Sequence, residues 1–441
     1  MNADPSIFKA YDIRGVYGEQ IDGDLAERIA RAFARTLAEL VSKPPAQLRV
    51  ALGHDMREGA AELSARYRDG LIAEGVTVLD AGQVATEIVY YLVGARELDG
   101  GLVCTASHNP RGYTGAKLLR EGALALSGDT GIDRVRELVA NGLPEPPGGG
   151  SVEPVECGEE FRAAVARFVD TAAIRGLRVV VDGSQGMAGP AIGPLLESLD
   201  IDLVTTNWTP AADFPQRGPN PMLPEIREPL VALVRDSGAD LGIAFDGDAD
   251  RCFFIDEQGE FLPGDFVTAI LYDVRASRAV PDTVAAGGGH AFRNRVGHAF
   301  FKTRMRAEGS LFGGEVSGHY YFHDFYCADS GTIPALLMLE HCARARRPLS
   351  ALLAPYRERY FISGEINSEV ADQAAKIAEI AERYADARQD TLDGISIDYD
   401  DWHFNVRPSN TEPLLRLCLE SLVSPEDMER RRDEVLELIR S

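Results

Sequence analysis

The sequence predicts an α/β protein made of three related mixed α/β units and a smaller C-terminal α+β domain. Three observations carry this. Up to about residue 140, short apolar runs alternate with helical patterns, as in a mostly parallel sheet covered by helices. A Pro/Gly-rich stretch, Asn141 to Gly150, interrupts the pattern, which then restarts. Beyond about Phe361 the order changes to a helix, an alternating strand, a further strand and a capped helix. At 441 residues the chain also exceeds one ordinary core.

Taken in order, Leu25, Ile29, Phe33, Leu37 and Leu40 keep helical spacing from Asp22 to Lys43, behind an acidic start. Leu48 to Leu52 reads as a strand, Ala60 to Glu74 as a helix ending at Gly75, and Val76 to Leu79 as a strand. Gly101 to Thr105 is a strand that delivers Ser107 to a loop. After the linker, Phe161 to Thr171 is helical, Leu177 to Val181 a strand, and Gly183 to Gly189 a glycine-rich turn. Ile192 to Leu199 and Glu225 to Asp236 are helices around the strand Asp202 to Thr205, and Leu241 to Phe245 closes the unit. A third unit carries Gly313 to His319 and a helix from Ile333 to Arg344. In the last segment Glu369 to Arg388 is helical, and Asp393 to Tyr399 and Leu414 to Leu419 are strands. Ser424-Pro-Glu-Asp427 is a capping box that opens a final helix. The expected domains are 1–145, 152–252, 253–358 and 361–441.

The net charge of −24 argues against a nucleic-acid partner, whose phosphates it repels. No apolar run approaches the roughly 20 residues needed to cross a bilayer. No basic leader with an apolar stretch opens the chain. The six cysteines have no paired metal-ligand spacing. Reduced, buried thiols in a cytoplasmic protein are expected.

The most informative string is Asp246-Gly-Asp-Ala-Asp-Arg251, directly after the apolar strand. Asp246, Asp248 and Asp250 repel one another in a partly dry site, and a divalent cation relieves that repulsion. Three hard oxygens that leave room for a phosphoryl oxygen suit Mg²⁺, with Arg251 beside the phosphoryl group. A solvated acidic turn is the plain alternative. A calcium loop of the EF-hand type fits worse, because Arg251 stands where that turn needs glycine and the flanks read as strands. The second string is Thr105-Ala-Ser-His-Asn-Pro110. A simple turn is one reading. In the other, Ser107 carries a phosphoryl ester that completes the metal site, contacted by His108 and Asn109. Lys117, buried near cations, would have a lowered pKa and serve as a general base. Arg407-Pro-Ser-Asn-Thr-Glu-Pro413 offers a guanidinium, hydroxyls and turn N–H groups to a dianionic phosphate. Glu315 and Ser317, in the string ending at His319, can recognise neighbouring sugar hydroxyls or simply form a polar turn. Tyr11 and Arg14, in Phe8 to Gly15, reach an active site or lock the N-terminus down.

Five strings in order, FKAYDIRG (8–15), TASHNP (105–110), AFDGDADR (244–251), GGEVSGH (313–319) and RPSNTEP (407–413), resemble the α-D-phosphohexomutase superfamily, of the mannose/glucose type. The resemblance implies four domains around a central cleft and an enzyme phosphorylated on Ser107. Mg²⁺ would be held by that phosphate with Asp246, Asp248 and Asp250. Mannose 6-phosphate and mannose 1-phosphate would interconvert through a hexose 1,6-bisphosphate that turns end for end. Arg407, Ser409, Asn410 and Thr411 would hold the non-reacting phosphate. Glu315, Ser317 and His319 would contact the sugar. Lys117, His298 and Arg14 would be acid–base and electrostatic partners, in a monomer or homodimer. One departure concerns residues 276–289, where the chain reads as roughly 10 to 20 residues short and a strand as missing. Arg293 or Arg295 would then replace a basic substrate contact. A sugar-phosphate-binding relative without turnover, with a degraded third domain, is the alternative.

Overall fold

Val50 to Leu52 and Leu102 to Cys104 are apolar on both strand faces, so each strand needs cover on both sides. The computed structural model describes residues 4–214, 218–264, 270–409 and 414–441. It divides into two units, Met1–Leu262 with Ser317–Leu349, and Pro263–Val316 with Ser350–Ser441.

The first sheet has the order Ile13–Val16, Tyr113–Arg120, Gly100–Cys104, Arg49–His54, Thr77–Gln83, Ser151–Pro154. Its last four strands are parallel, and the first two are antiparallel additions. Helix Gly23–Val41 buries Leu25, Ile29, Phe33 and Leu37, as their spacing predicts. The Asp22 carboxylate caps it, accepting from Leu25 N at 2.8 Å, an interaction worth about 1 kcal/mol. Strand Ser151–Pro154 pairs with Thr77–Asp80, so the chain returns to the first sheet after the Pro/Gly stretch. The expected boundary at 152 therefore falls inside a strand.

The second sheet has the order Phe261–Leu262, Cys252–Asp256, Leu241–Phe245, Arg175–Asp182, Asp200–Thr206. Cys252–Asp256 forms a hairpin with Leu241–Phe245, with Phe245 opposite Cys252. The expected boundary at 253 thus cuts through a strand that the hairpin pairing assigns to the second sheet. The first unit also holds the hairpin Tyr320–Phe322 with Ala328–Asp329, and helix Thr332–Ala345.

In the second unit, Phe292–Asn294, Leu271–Asp273 and Phe312–Gly314 are parallel neighbours. The gap expected at 276–289 is not there. Helix Ala279–Ala286 leads to strand Phe292–Asn294, a complete strand–helix–strand crossover. Residues 265–269 lie outside the described residues. Arg275 and Arg278, rather than Arg293 or Arg295, follow the central strand directly. Arg293 is taken up by Asp398, at 2.9 Å from Nη1.

The C-terminal sheet is antiparallel, in the order Phe361–Glu369, Leu414–Ser421, Trp402–Pro408, Ile395–Asp398, Arg388–Asp390. Helices Gln373–Arg383 and Pro425–Arg440 cover it, burying Ile380, Val435 and Ile439 with Trp402, Phe404 and Val406. The helix expected over 369–388 is shorter, because its first residue belongs to a strand and Asp372 caps the helix by accepting from Ala375 N. Among the described residues no cysteine forms a disulfide, and five are buried while Cys418 is half-buried. No described helix is long and apolar enough to cross a membrane.

Candidate active site

Two buried strands deliver the reacting groups of the first unit. Gly100–Cys104 ends just before Ser107, and Leu241–Phe245 ends at Asp246. Loops at the carboxyl ends of parallel strands are where such sheets gather their chemistry.

Ser107 holds a left-handed backbone, φ 48°, which costs a non-glycine residue about 1–2 kcal/mol. Arg57 holds the loop in that shape. Its guanidinium donates to the carbonyl oxygens of Ser107 at 2.5 Å, Asn109 at 2.7 Å, Pro110 at 3.1 Å and Tyr113 at 3.2 Å. A hydrogen bond from a charged donor contributes about 1.5–3 kcal/mol, so the clamp outweighs the strain. Asp55 orients the clamp, accepting from Arg57 N at 2.9 Å. Gly247 lets the two loops touch, since a Cβ there would stand 2.7 Å from Ser107 O.

Ser107 Oγ donates to Asp246 Oδ2 at 2.8 Å. Arg251 bridges the pair, with Nη2 3.2 Å from Ser107 Oγ and Nε 2.9 Å from Asp246 Oδ2. The exposed His108 places Nδ1 3.3 Å from the same hydroxyl. Asp246, Asp248 and Asp250 are buried, and each offers an oxygen within 4.8 Å of the others. Asp248 Oδ2 accepts from Lys117 Nζ at 2.8 Å, Thr86 Oγ1 at 2.6 Å and Thr105 Oγ1 at 3.2 Å. Lys117 Nζ also donates to Asp250 Oδ2. Asp248 Oδ1 and Asp250 Oδ1 accept no hydrogen bond among the described residues. Buried hard oxygens left open in this way fit a small divalent cation.

Burial opposes ionisation of Asp248, but Lys117 and Thr86 more than offset it and hold its carboxyl far below the usual range. Burial, with the Asp248 charge, pushes Asp250 up. Burial also disfavours the charge on Lys117, yet Asp248 and Asp250 hold its ammonium protonated. The expectation of a lowered lysine pKa is therefore reversed. Its nearest partners are carboxylates at hydrogen-bond distance, and Lys117 is the cation that the triplet grips.

Arg14 is buried, pairs with Asp12 at 2.8 Å and donates to Thr105 O. Tyr11 and Asn109 are half-buried. Ser317 Oγ lies 3.1 Å from His319 Nδ1, and His319 Nε2 is 3.7 Å from Asp250 Oδ1. His319 thus stands against the triplet. The remaining sequence candidates belong to the second unit. His298 opens helix His298–Glu308, and Glu315 Oε1 accepts from Gly297 N at 2.5 Å. Arg407 lies on strand Trp402–Pro408 and donates to Glu365 at 2.9 Å, and Ser409 follows it. Asn410 and Thr411 lie outside the described residues.

Sequence reasoning missed Arg57 and Thr86. Each reaches the site across a large sequence separation, and neither stands in an unusual local string.

Glu87, next to Thr86, is a buried carboxyl that accepts from Ser330 Oγ and Thr332 Oγ1. Burial pushes it up to about 7, against the pull of those hydroxyls. An acid with a raised folded pKa binds its proton more tightly folded than unfolded. Its stabilising contribution is complete below the ordinary carboxyl value and is lost as pH rises to about 7. Over that window native stability relative to Glu87→Gln should fall by about 3 kcal/mol, read from urea unfolding at a series of pH values. A pH-independent difference would place no titrating carboxyl there.

Four family models cover most of the chain. They are phosphoglucomutase/phosphomannomutase alpha/beta/alpha domains I, II and III, over residues 5–143, 159–259 and 255–360, and the C-terminal domain, over residues 365–438. The chain is 39% identical over 458 residues to a phosphomannomutase of Salmonella montevideo, covering 98% of this chain and 99% of that protein. It is 38% identical to a protein named phosphohexose mutases from Xanthomonas campestris pv. campestris, covering 98% of this chain and 99% of that one. Among solved structures, a phosphoglucomutase/phosphomannomutase family protein from Burkholderia thailandensis superposes with a TM-score of 0.90 at 30% identity, covering 99% and 97% of the two chains.

Proposed function

The chain belongs to the phosphoglucomutase/phosphomannomutase family, and from that premise we propose that it is a phosphohexomutase interconverting mannose 6-phosphate and mannose 1-phosphate. The observation that carries this reading is the 2.8 Å contact between Ser107 Oγ and Asp246, residues 139 apart in sequence. A serine hydroxyl inside a buried carboxylate triplet is arranged for reversible phosphoryl transfer.

Ser107 is the phosphoryl carrier. A sugar hydroxyl oxygen bonds to phosphorus as the Ser107 Oγ–P bond breaks, giving a hexose 1,6-bisphosphate. The bisphosphate reverses end for end, and its other phosphoryl group returns to Ser107. His319, against Asp250, takes and returns the hydroxyl proton. Arg251 neutralises charge at the transferring oxygens, and Arg14 and Lys117 offset the charge of the carboxylates around them. Asp246, Asp248, Asp250 and the Ser107 phosphate would hold Mg²⁺, which supplies Lewis-acid stabilisation of phosphoryl charge when bound. In the second unit Arg407 and Ser409, with Asn410 and Thr411, take the non-reacting phosphate and Glu315 accepts from a sugar hydroxyl; in the first unit Ser317 contacts a sugar hydroxyl.

A coupled assay with mannose 1-phosphate, Mg²⁺ and catalytic hexose 1,6-bisphosphate should give turnover of about 1–10³ s⁻¹. Sugar-phosphate binding without turnover would instead support the binding relative. Retention of the serine, the triplet and Lys117 in one contacting cluster does not favour that alternative.

A further inference from the structure

Three guanidinium groups of the second unit converge on one carboxylate. Glu365 Oε2 accepts from Arg407 Nη2 at 2.9 Å and from Arg275 Nη1 at 3.4 Å, and Oε1 accepts from Arg416 Nη1 at 3.2 Å. Arg416 Nη2 also donates to Ser409 Oγ at 3.3 Å. Arg275 is shared with Asp273, whose Oδ2 lies 2.7 Å from its Nη2. The side chains of Arg275 and Arg407 are only 5% and 6% exposed. Arg407 Nε and Arg416 Nε are buried donors with no acceptor among the described residues.

These positions carry three positive and two negative charges, Arg275, Arg407 and Arg416 against Asp273 and Glu365. A site one charge positive under-neutralises a dianionic phosphate, and without Glu365 it would match one. The nearly buried Arg407 and the half-buried Arg416, each with an open Nε donor, suit an oxyanion, and Glu365 is the oxyanion that the fold itself supplies. Removing a carboxylate from such a cluster leaves arginines that repel one another until an external anion arrives.

We propose that Glu365 sets the affinity of this anion site as an internal competitor: its carboxylate holds Arg275, Arg407 and Arg416, yields them to the phosphate of a bound sugar, and takes them back as that phosphate leaves. The proposal rests on the mutase reading, in which one site must accept and release two phosphates in turn. Binding that is equally tight throughout the cycle lowers KM without raising kcat, and slow release then limits turnover.

The test uses the full chain with Glu365→Gln, inorganic phosphate as the titrated probe, and mannose 1-phosphate turnover. The variant should bind phosphate about tenfold more tightly, with a lower KM and a several-fold lower kcat. Glu365→Gln/Arg416→Gln, which restores the native charge count, should move phosphate affinity back toward the native value, an effect that a purely structural tie would not produce. Phosphate binding that is unchanged or weaker in folded Glu365→Gln overturns the proposal. If that variant does not fold, Glu365→Asp decides alone, since its shorter side chain reaches the guanidinia less well: several-fold tighter phosphate binding supports the competitor and unchanged or weaker binding overturns it. A native chain that binds phosphate but never turns over sugar phosphate would sink the mutase reading, while the titration still decides the role of Glu365.

Discussion

Ser107→Ala abolishes turnover of mannose 1-phosphate, by at least about 10⁴-fold, while leaving the fold intact. In the proposed reaction the lost atom is the one whose phosphoester bond forms and breaks, and alanine offers no oxygen in its place. The backbone shape of the loop does not depend on that oxygen. Arg57 grips the carbonyls of residues 107, 109, 110 and 113, and Thr105 Oγ1 accepts from the Ser107 N–H at 2.8 Å. The variant should therefore lose the hydrogen bonds of Ser107 Oγ to Asp246 and from Arg251, and unfold within about 1–2 kcal/mol of the native protein. Intact-mass measurement after incubation with hexose 1,6-bisphosphate should find a phosphoryl adduct on the native chain and none on the variant. A tenth of native activity remaining would remove Ser107 from the reaction.

Lys117→Met has the largest expected effect on stability. Methionine fills nearly the same volume but withdraws the ammonium that Asp248 and Asp250 share. Two fully buried carboxylates then face each other uncompensated, a change that costs about 3–5 kcal/mol. In a protein of 441 residues the unfolding midpoint should fall by roughly 3–5 °C when divalent cations are chelated. Adding Mg²⁺ should raise the midpoint of the variant more than that of the native protein, because a cation then neutralises charge that the native chain has already covered. Thermal unfolding with and without chelator checks both parts. Equal midpoints would mean that the lysine does not neutralise the triplet.

Signals that repeat or terminate within a short window are legible in the chain alone. Helix Gly23–Val41 has an acidic cap and apolar residues three and four apart, and both are properties of neighbouring residues. The final helix shows itself in the same way through Ser424, whose Oγ accepts from Asp427 N at 3.2 Å. Strand Phe361–Glu369 escapes such a reading because its residues do not alternate cleanly. It exists through its pairing with Leu414–Ser421, across a register shift between Ile362 and Glu365. Ser151–Pro154 and Cys252–Asp256 fall on the wrong side of an expected boundary for a related reason. A strand belongs to the sheet whose backbone groups it satisfies, and the partner's identity is not written in its own side chains.

The alternating α/β order, the acid triplet and the serine string can be read along the chain. Each is a dense local pattern whose chemistry is carried by adjacent residues. That Ser107 and Asp246 share a hydrogen bond, that Arg57 grips the serine loop while Thr86 binds Asp248, and that Lys117 is a gripped cation rather than a lowered base emerges only from the folded chain. Charge state and contact depend on which groups lie within a few ångströms in a dry interior. Chain positions more than a hundred residues apart are brought to that distance only by the packing of strands and helices around them.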